Sequence, residues 1–386
     1  MNEVKLAVIG AGNIGTMHIG YLAAGRVQGC QLYAVCDHNP EKLEAVRKRY
    51  GETYLLYSSI EEVLLDDQVD AVFVATPHYD HPTIAIQALQ AGKHVLIEKP
   101  AGVYTKKVQE MNEEAGKHPE LSFGIMYNQR TNPMYQKARE LVQNGALGEL
   151  RRTNWIITTW YRSQSYYDSG GWRASWRGEG GGVLLNQDPH QLDLWQWICG
   201  MPQRVFGFAS FGKRRAIEVE DEVTAYVEYE NGATGIFMTS VSETPGTNRF
   251  EIVGSKGKLV IENEKMSFWQ STVDERTFNA TYTGGFGEPE IWQIDLPVMY
   301  DNRDEHQKIL QNFIDHIRTG KELLAPGCEG IAGLSISNAI HLSAWQECWV
   351  DLPIDSELYY EELKKRIATS QLREVEEKVL DTDATY

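Results

Sequence analysis

The stretch VKLAVIGAGNIG at residues 4–15 joins a short apolar run to three glycines in G-x-G-x-x-G spacing. Gly10 is predicted to make a tight strand-to-helix turn, Gly12 to let a pyrophosphate approach the backbone, and Gly15 to let the helix pack on the strand. The pyrophosphate would lie at a helix N-terminus, where free N–H groups and the helix dipole favour an anion. These residues predict a dinucleotide-binding β-α-β unit.

An acid closes the second strand of this unit. The apolar run at residues 32–36 ends at Asp37, which follows Gly15 by 22 residues, the distance at which an acid meets the ribose 2′-OH. Asp37 would repel a 2′-phosphate, and the next residues, His38 and Asn39, supply no arginine to bind one. The predicted cofactor is NAD, with NADP disfavoured.

Composition excludes several classes of function. The chain has 386 residues, enough for two domains, and its formal net charge of −17, without a basic tract, argues against nucleic-acid binding. It has no apolar run long enough to span a membrane, and its N-terminus lacks the layout of a signal peptide. The five cysteines are scattered without a C-x-x-C pair, which predicts reduced thiols in a cytoplasmic protein and no metal site.

Residues 1–128 alternate between strand and helix patterns, which predicts a Rossmann domain with a parallel sheet and helices on both faces. Ligands of such sheets bind beyond the carboxyl ends of the strands. Those predicted ends are Gly10, Asp37, Thr76, Glu98-Lys99 and Tyr127-Asn128.

From residue 129 to 386 the pattern changes to an α+β domain for substrate binding and oligomerisation. Strands are predicted at 150–161, 204–211, 223–230, 233–241, 249–254 and 257–262. The Asn231-Gly232 pair between two of them is a strong hairpin signal. The fold class is therefore an α/β Rossmann domain followed by an α+β domain with a large, mostly antiparallel open sheet. Helices are predicted at 304–319 and 329–349, the second apolar enough to be buried, and a charged helix is predicted from 356 to about 379.

Lys99 follows the fourth predicted strand, at the edge where a nicotinamide would lie. A lysine there could relay a proton or hydrogen-bond the substrate oxygen. Burial would lower its pKa, whereas the neighbouring Glu98 would oppose that shift. The alternative is an ordinary surface lysine after a strand.

A second group of polar residues follows the glycines at 180–182. Asp188 and Pro189 resemble a helix N-cap with proline at N1, and Gln191 would complete a capping box, so Asp188 is either a cap or a catalytic group. His190 would then lie in the first helical turn, where the dipole keeps its imidazole neutral and able to accept a proton.

The segment between residues 160 and 177 is rich in aromatic side chains and arginine, including Tyr161, Trp172 and Arg173. Flat aromatic faces with polar edges suit sugar rings, although about half of these residues would serve the core or subunit contacts. The pair His78-x-x-His81 comes closest to a metal-ligand spacing, but a role beside the nicotinamide, or at the start of the helix predicted at 82–91, is favoured over zinc, and His81 is a predicted cofactor contact.

With these residues identified, the chain resembles the Gfo/Idh/MocA family of NAD(P)-dependent sugar and polyol oxidoreductases. The resemblance spans most of residues 4–355 and rests on four motifs: GAGNIG at 10–15, ATPHYDH at 75–81, AGKHVLIEKP at 91–100 and GGGVLLNQDPHQLD at 180–193. It implies that Lys99 is the catalytic lysine, that His190 is the catalytic histidine, and that Trp172-Arg173 lies near the nicotinamide and substrate. It also implies a homodimer or homotetramer.

The candidate residues fall into three groups. The predicted cofactor contacts are Gly10, Gly12, Asn13, Ile14, Asp37, Ala75, Thr76, Pro77, His81, Glu98, Lys99, Trp172 and Arg173. The predicted substrate contacts are Lys99, Tyr127, Asn128, Tyr161, Trp172, Asn186 and His190. The predicted catalytic groups are Lys99, His190 and Asp188.

One departure from the family pattern concerns Asn186, since sugar and inositol dehydrogenases of the family usually carry aspartate there. Asparagine can bind a hydroxyl but cannot take its proton, so the carboxylate would have moved to Asp188, or Lys99 and His190 would act alone. The leading hypothesis is NAD-dependent oxidation of a secondary hydroxyl of a sugar, glycoside or cyclitol. The alternatives are a glycoside-cleaving or epimerising enzyme that recycles bound NAD through a 3-keto sugar, and a non-catalytic NAD-dependent sensor.

Overall fold

The computed structural model describes residues 3–373 and 375. Its first sheet contains six strands: β1 Val4–Ile9, β2 Cys30–Cys36, β3 Leu55–Tyr57, β4 Ala71–Val74, β5 His94–Ile97 and β6 Phe123–Ile125. They are all parallel, in the order β3-β2-β1-β4-β5-β6. The chain reverses its direction of winding between β1 and β4, and this switch point is where ligands of doubly wound sheets bind.

Five helices connect these strands: α1 Asn13–Ala23, α2 Pro40–Tyr50, α3 Ile60–Leu65, α4 Asp80–Gln90 and α5 Thr105–Lys117. The predicted Rossmann domain is confirmed. Sequence patterns missed β3, and they placed the start of α4 at Pro82, two residues after its actual start. The predicted boundary at residue 128 lies in the 3-10 turn Asn128–Thr131.

The second sheet contains nine strands: β7 Leu150–Ile157, β8 Arg204–Phe211, β9 Glu220–Glu228, β10 Thr234–Ser240, β11 Asn248–Gly254, β12 Gly257–Glu262, β13 Lys265–Ser271, β14 Ile291–Ile294 and β15 Val350–Asp351. Their order is β14-β13-β12-β11-β7-β10-β9-β8-β15. Neighbours are antiparallel except β7 and β10, which run parallel. The predicted mostly antiparallel sheet is confirmed, and Gly232, with a φ of +82°, lies in the predicted β9–β10 hairpin turn.

The described residues of this second part form eight α-helices: α6 Pro133–Gln143, α7 Gln164–Tyr167, α8 Val183–Asn186, α9 Pro189–Cys199, α10 Glu275–Thr281, α11 Glu305–Thr319, α12 Gly330–Gln346 and α13 Ser356–Thr369. The predicted C-terminal helix ends at Thr369, ten residues earlier than expected. Part of that prediction, residue 374 and residues 376–379, lies outside the described residues.

Helix α12 joins the two parts of the molecule, and its side chains are buried along most of its length, as its apolar sequence predicted. The Asn338 amide nitrogen donates to the Val103 carbonyl oxygen over 3.1 Å, and its oxygen accepts from the Thr105 N–H over 3.0 Å. This asparagine therefore ties α12 to the loop before α5 of the Rossmann domain. No helix among the described residues is long and apolar enough to cross a membrane. The five cysteines are free.

Candidate functional site

The glycine loop after β1 has the geometry that a dinucleotide needs. Gly10 has a φ of +101°, and a Cβ at this position would lie 2.5 Å from the carbonyl oxygen of Ala75. A Cβ on Gly15 would lie 2.0 Å from the carbonyl oxygen of Gly10. A Cβ on Gly12, by contrast, would meet nothing within 4 Å. The loop is thus tightly packed against β4 and α1 but open at Gly12, beside the N-terminus of α1, where a pyrophosphate fits.

Asp37 is held beside this loop by main-chain donors. Its Oδ2 accepts from the N–H of Ala11 over 2.8 Å, and its Oδ1 accepts from the N–H of Asn39 over 2.9 Å. A carboxylate has about four acceptor positions, so two remain for ribose hydroxyls. The residues present therefore fit NAD.

The loops after β4 and β5 are bound together by His81. Its Nδ1 lies 2.8 Å from the carbonyl oxygen of Pro100, and its Nε2 lies 2.7 Å from that of Thr76. Both ring nitrogens are thus engaged by main-chain oxygens of the cofactor edge. His81 supports the backbone at Thr76 and at the cis Lys99–Pro100 bond, and its ring nitrogens do not point towards a shared metal position with His78.

Lys99 links the two domains. Its Nζ donates to the main-chain oxygen of Asn186, at the end of α8, over 2.9 Å. The preceding residue, Glu98, is buried: its Oε2 accepts from the N–H of Lys99 over 3.0 Å, and its Oε1 lies 2.9 Å from Nε2 of His18. The Glu98 carboxylate and the end of α8 therefore hold Lys99 in place after β5.

The electrostatic environment favours proton loss from Lys99. Burial lowers the pKa of Lys99 below its ordinary 10.5, and the guanidinium groups of Arg162 and Arg173 act in the same direction. The carboxylates of Glu98 and Glu179 oppose this shift without cancelling it. The sequence anticipated the effects of burial and Glu98 but not the other three groups.

Glu179 is the residue that sequence reasoning missed. It is only 1 % exposed, and its Oε2 accepts from the N–H of Ala174 over 2.7 Å. Its Oε1 accepts from Nδ2 of Asn186 and lies 3.9 Å from Nη1 of Arg173. A buried carboxylate therefore stands directly behind the asparagine that replaces the acid of the family pattern. One glutamate before three glycines carried no signal of this contact.

The aromatic segment supplies a wall of stacked side chains. The Arg173 guanidinium lies 4.5 Å from the ring centre of Trp172 and 4.6 Å from that of Tyr166, and its Nη1 donates to the Tyr166 hydroxyl over 2.8 Å. Trp172 in turn meets the edge of His78 at 5.7 Å between ring centres. Trp172 and Arg173 thus lie between the Rossmann loop that carries His78 and the network around Asn186.

His190 lies in the first turn of α9, as predicted, and is buried. Burial lowers the pKa of His190 well below its ordinary 6.5, and the charge of Lys99 acts in the same direction. Its Nδ1 has no hydrogen-bond partner among the described residues. This imidazole is neutral at pH 7 and lies within electrostatic range of Lys99.

Asp188 does not form the predicted capping box. It occupies the N-cap position of α9, but its side chain makes no cap hydrogen bond, and Gln191 donates to Gln129 instead. The carboxyl is fully buried and faces the side chains of Thr239 and Trp160, without full hydrogen-bond geometry to either. Burial raises the pKa of Asp188 well above its ordinary value, and these two neighbours oppose the shift only in part.

Three other predicted site residues have partners of their own. The buried Tyr127 hydroxyl donates to the carbonyl oxygen of Gly330 over 3.4 Å, and Nδ2 of Asn128 donates to Glu305 over 3.0 Å. Tyr161 is 49 % exposed and lies under the Arg215 guanidinium at 5.2 Å. Their substrate contacts stay predictions.

Asp193, one turn after His190 in α9, pairs with the buried Arg130. Nε and Nη2 of Arg130 donate to its two carboxylate oxygens over 2.8 and 2.6 Å. This bidentate pair fixes α9 to the turn at 128–131, so Asp193 has a structural role. Within residues 3–373 and 375, no group of three or more histidine, cysteine or acidic side chains is arranged to hold a metal ion.

Comparison with known families identifies both parts of the chain. The family model described as an oxidoreductase family with an NAD-binding Rossmann fold matches residues 4–124. The model described as the GFO/IDH/MocA C-terminal domain matches residues 135–260. Together, the two models cover well over half of the chain, including the glycine loop, Lys99, Glu179 and His190.

Individual relatives match along nearly their whole length. The chain is 26 % identical to levoglucosan dehydrogenase of Pseudarthrobacter phenanthrenivorans, covering 92 % of this chain and 99 % of that protein. It is 26 % identical to myo-inositol 2-dehydrogenase of Thermotoga maritima, covering 87 % and 95 %. Among solved structures, the WlbA dehydrogenase of Bordetella pertussis in complex with NADH and UDP-GlcNAcA superposes with a TM-score of 0.76 at 26 % identity, covering 92 % of this chain and all of that one.

Proposed function

This chain belongs to the Gfo/Idh/MocA family of oxidoreductases, and from that premise we propose that it oxidises a secondary hydroxyl of a pyranose, glycoside or cyclitol with NAD. The family assignment makes it an oxidoreductase of CH–OH groups with an NAD-binding Rossmann domain. The relatives named for levoglucosan and myo-inositol support a cyclic polyol as substrate. NAD, when bound, supplies the hydride acceptor.

The observation that carries the mechanism is the position of Lys99 at the junction of the two domains, with its pKa lowered by burial. A neutral Lys99 amine can accept the proton of the substrate hydroxyl while the hydride leaves the same carbon, so the alcohol becomes a ketone. The ammonium that forms stays next to Glu98 and the main-chain oxygen of Asn186, both of which stabilise its charge. In the reverse direction the same ammonium returns the proton.

His190 is the second proton acceptor in this proposal. Its imidazole is neutral at pH 7 because it is buried beside Lys99, so it can hydrogen-bond the reacting hydroxyl or take its proton. Only one proton leaves the alcohol, so the two groups act on the same proton in turn. Asp188, the third predicted catalytic group, is fully buried, and burial raises the pKa of its carboxyl.

The remaining predicted contacts complete the proposed site. We propose that NAD contacts the following loop residues and strand ends: Gly10, Gly12, Asn13, Ile14, Asp37, Ala75, Thr76, Pro77, His81 and Glu98. On the substrate side, the stacked Trp172 and Arg173 support binding of a sugar or cyclitol ring, whose C–H face suits an aromatic surface. The free cysteines support a reducing compartment such as the cytoplasm.

The test is absorbance at 340 nm with NAD against levoglucosan, inositols, free sugars and glycosides. A substrate-dependent rise in NADH is expected with at least one member of this panel. A flat trace with every member would contradict net dehydrogenation. In that case, NAD released on denaturation together with a changed sugar in the mass spectrum would indicate the recycling alternative.

For the oligomer, we propose that a second copy of the chain covers the outer face of the second sheet. Phe206, Tyr226 and Ile236 lie side by side across β8, β9 and β10, next to the exposed Phe208 and Trp349. An apolar surface of this kind marks an interface, and the same surface can pair with itself about a two-fold axis. Light scattering should show a dimer or tetramer, and Ile236→Asp should lower the mass. Leu65→Asp, on the Rossmann domain and equally apolar, is the matched control.

A further inference from the structure

We propose that Glu179 is a positioning residue that fixes the side-chain amide of Asn186, so that the amide oxygen and not the nitrogen faces a substrate hydroxyl. The inference rests on the proposed function for the identity of that hydroxyl, but the orientation of the amide follows from the protein alone. Nothing in the family pattern of the sequence pointed to a glutamate at this position.

Both oxygens of the Glu179 carboxylate have fixed donors. Oε2 accepts from the main-chain N–H of Ala174 over 2.7 Å, and Oε1 accepts from Nδ2 of Asn186. The carboxylate is 1 % exposed, so water does not compete for these bonds. A carboxylate only accepts hydrogen bonds, whereas an asparagine amide presents a donor at one end and an acceptor at the other. Burial raises the pKa of Glu179, whereas Arg173 and the two donors from Ala174 and Asn186 favour its ionised form. Only the nitrogen end of Asn186 can face the ionised carboxylate.

Because the nitrogen of the Asn186 amide faces Glu179, its oxygen points the other way. Oδ1 of Asn186 accepts from the Tyr166 hydroxyl over 3.4 Å and from Nε2 of Gln187 over 3.1 Å. The Tyr166 hydroxyl can donate to Asn186 because it accepts from Nη1 of Arg173 over 2.8 Å. The hydrogen bonds thus run in one direction, from Arg173 through Tyr166 to the oxygen of Asn186.

This oxygen lies on the residue whose main chain binds Lys99. The Lys99 amine and Asn186 therefore meet between the Rossmann domain and α8, through the main-chain oxygen of Asn186. The 3.4 Å bond from Tyr166 is the longer of the two bonds to the asparagine oxygen, so a substrate hydroxyl can replace Tyr166 as a donor there while the reacting hydroxyl faces Lys99. If the amide were reversed, its NH2 group would face the substrate, and this acceptor would be lost.

Glu179 also contributes charge to the site. The titratable and charged groups that interact electrostatically with Lys99 are Glu98, Glu179, Arg162, Arg173, His78, His190 and His306. The two carboxylates raise the pKa of Lys99, the two arginines lower it, and the three histidines are neutral at pH 7 because burial lowers their own pKa values. Removing the Glu179 charge should therefore lower the pKa of Lys99 further.

Glu179→Gln is the first variant to test. The glutamine has one oxygen, which the Ala174 N–H requires, so its NH2 group must face Asn186 and turn that amide round. We expect kcat/KM to fall about 10²-fold, as is typical when a positioning contact is misplaced. The acidic limb of the pH profile for oxidation should also move to lower pH, because Lys99 loses a neighbouring negative charge. Glu230→Gln, in an exposed turn of the second sheet, is the control for loss of one carboxylate.

The decisive variant carries Asn186→Asp and Glu179→Gln together, so that the carboxylate and the amide exchange places. The glutamine NH2 can then donate to the new carboxylate while its oxygen still accepts from Ala174. The second carboxylate oxygen faces the substrate as an acceptor. Asn186→Asp alone places two carboxylates in contact, which is unfavourable for both. We expect the double variant to exceed each single variant at least tenfold in kcat/KM, a rescue that a merely structural glutamate would not produce.

Three results would overturn the inference. The first two are wild-type kinetics in Glu179→Gln and an unchanged pH profile in that variant. The third is a double variant with the Tm of the wild type whose kcat/KM stays as low as that of the single variants. If Glu179→Gln does not fold, the comparison between Asn186→Asp and the double variant still decides. Failure of the proposed function is separate, because the wild type would then oxidise nothing in the panel. In that case a crystal structure of Glu179→Gln is the test. With the Asn186 amide reversed, Nε2 of Gln187 would face an amide nitrogen, to which it cannot donate, so the two side chains must separate. An unchanged 3.1 Å contact refutes the proposal.

Discussion

The Nζ atom of Lys99 donates to the main-chain oxygen of Asn186 over 2.9 Å, and this bond connects the end of a Rossmann strand to a helix of the second domain. An amine held by a carbonyl oxygen keeps its donor direction fixed whether it is charged or neutral. The bond therefore aims the lysine without deciding its protonation state. Burial, Glu98 and the arginines decide that instead.

Replacing Lys99 by alanine should abolish turnover while NAD binding persists. The substitution removes the proposed proton acceptor but leaves the glycine loop and Asp37 intact. We expect kcat/KM to fall by about 10²–10⁴-fold, the usual contribution of general acid–base catalysis. Steady-state kinetics and NAD titration measure the two effects separately. Lys107→Ala, which replaces a partly exposed lysine of α5 that pairs with Glu110, is the matched control, and wild-type activity in Lys99→Ala would refute the mechanism.

Replacing Asp37 by alanine should weaken NAD binding and relax the preference for NAD over NADP. The carboxylate is the negative charge nearest the expected ribose 2′ position, and it also accepts from Ala11 and Asn39. We expect the ratio of kcat/KM values for the two cofactors to shift about tenfold towards NADP, equivalent to about 1.4 kcal/mol. An unchanged ratio would mean that the ribose binds elsewhere. Asp67→Asn, exposed after α3, is a control for loss of charge on the same domain.

The segment after α13 fixes the aromatic loop of the candidate site. Arg373 donates from its main chain to Gly171 over 3.2 Å and from Nη2 to Asp168 over 2.5 Å. Asp168 and Gly171 lie just before Trp172, so loss of the side-chain bond to Asp168 should loosen the aromatic wall. We expect Arg373→Ala to raise the substrate KM several-fold, because a loosened site must be ordered on binding at about 0.5–1.5 kcal/mol per side chain. The dissociation constant for NAD should be unchanged, and an equal rise in both constants would contradict this local role.

Most of the fold could be predicted from the sequence because buried strands and amphipathic helices leave periodic patterns. The alternation up to residue 128 predicted the parallel sheet, and Asn231-Gly232 predicted a hairpin. Strand β3 was missed because it is three residues long and only partly buried. The end of α13 was misplaced because charged residues continue the helical pattern beyond Thr369.

The candidate site was less predictable, because its polar contacts join residues that are distant along the chain. Lys99 and His190 stand at recognisable positions of their motifs. Glu179, however, gains its meaning only from contacts with Ala174 and Asn186, which no spacing rule describes. Asp188 shows the opposite error: its sequence context fits a capping box, but its side chain turns into the core and leaves the helix end uncapped.

Replacing Asp188 by asparagine should make the protein more stable than the wild type, and the difference in the free energy of unfolding should grow as the pH rises. Burial raises the pKa of the Asp188 carboxyl in the folded state, so folding favours its protonated form. The stability from this group is fully present below the unfolded pKa of about 3.9, and it is lost as the pH rises towards the folded pKa. An asparagine of the same shape carries no such dependence. In that window the wild type should lose up to about 1.4 kcal/mol per pH unit relative to Asp188→Asn.

Denaturant unfolding at pH 5, 6, 7 and 8 measures this difference, with Asp67→Asn as an exposed control that should show none. The same variant separates the two interpretations of Asp188. If Asp188 is a neutral buried acid, kcat of Asp188→Asn should stay within about tenfold of the wild-type value, because an asparagine fills the same space beside Thr239 and Trp160. A catalytic carboxylate predicts a loss of about 10²-fold or more at every pH, because an amide cannot accept the substrate proton. The full burial of the side chain and the raised pKa of its carboxyl lead us to expect the first result.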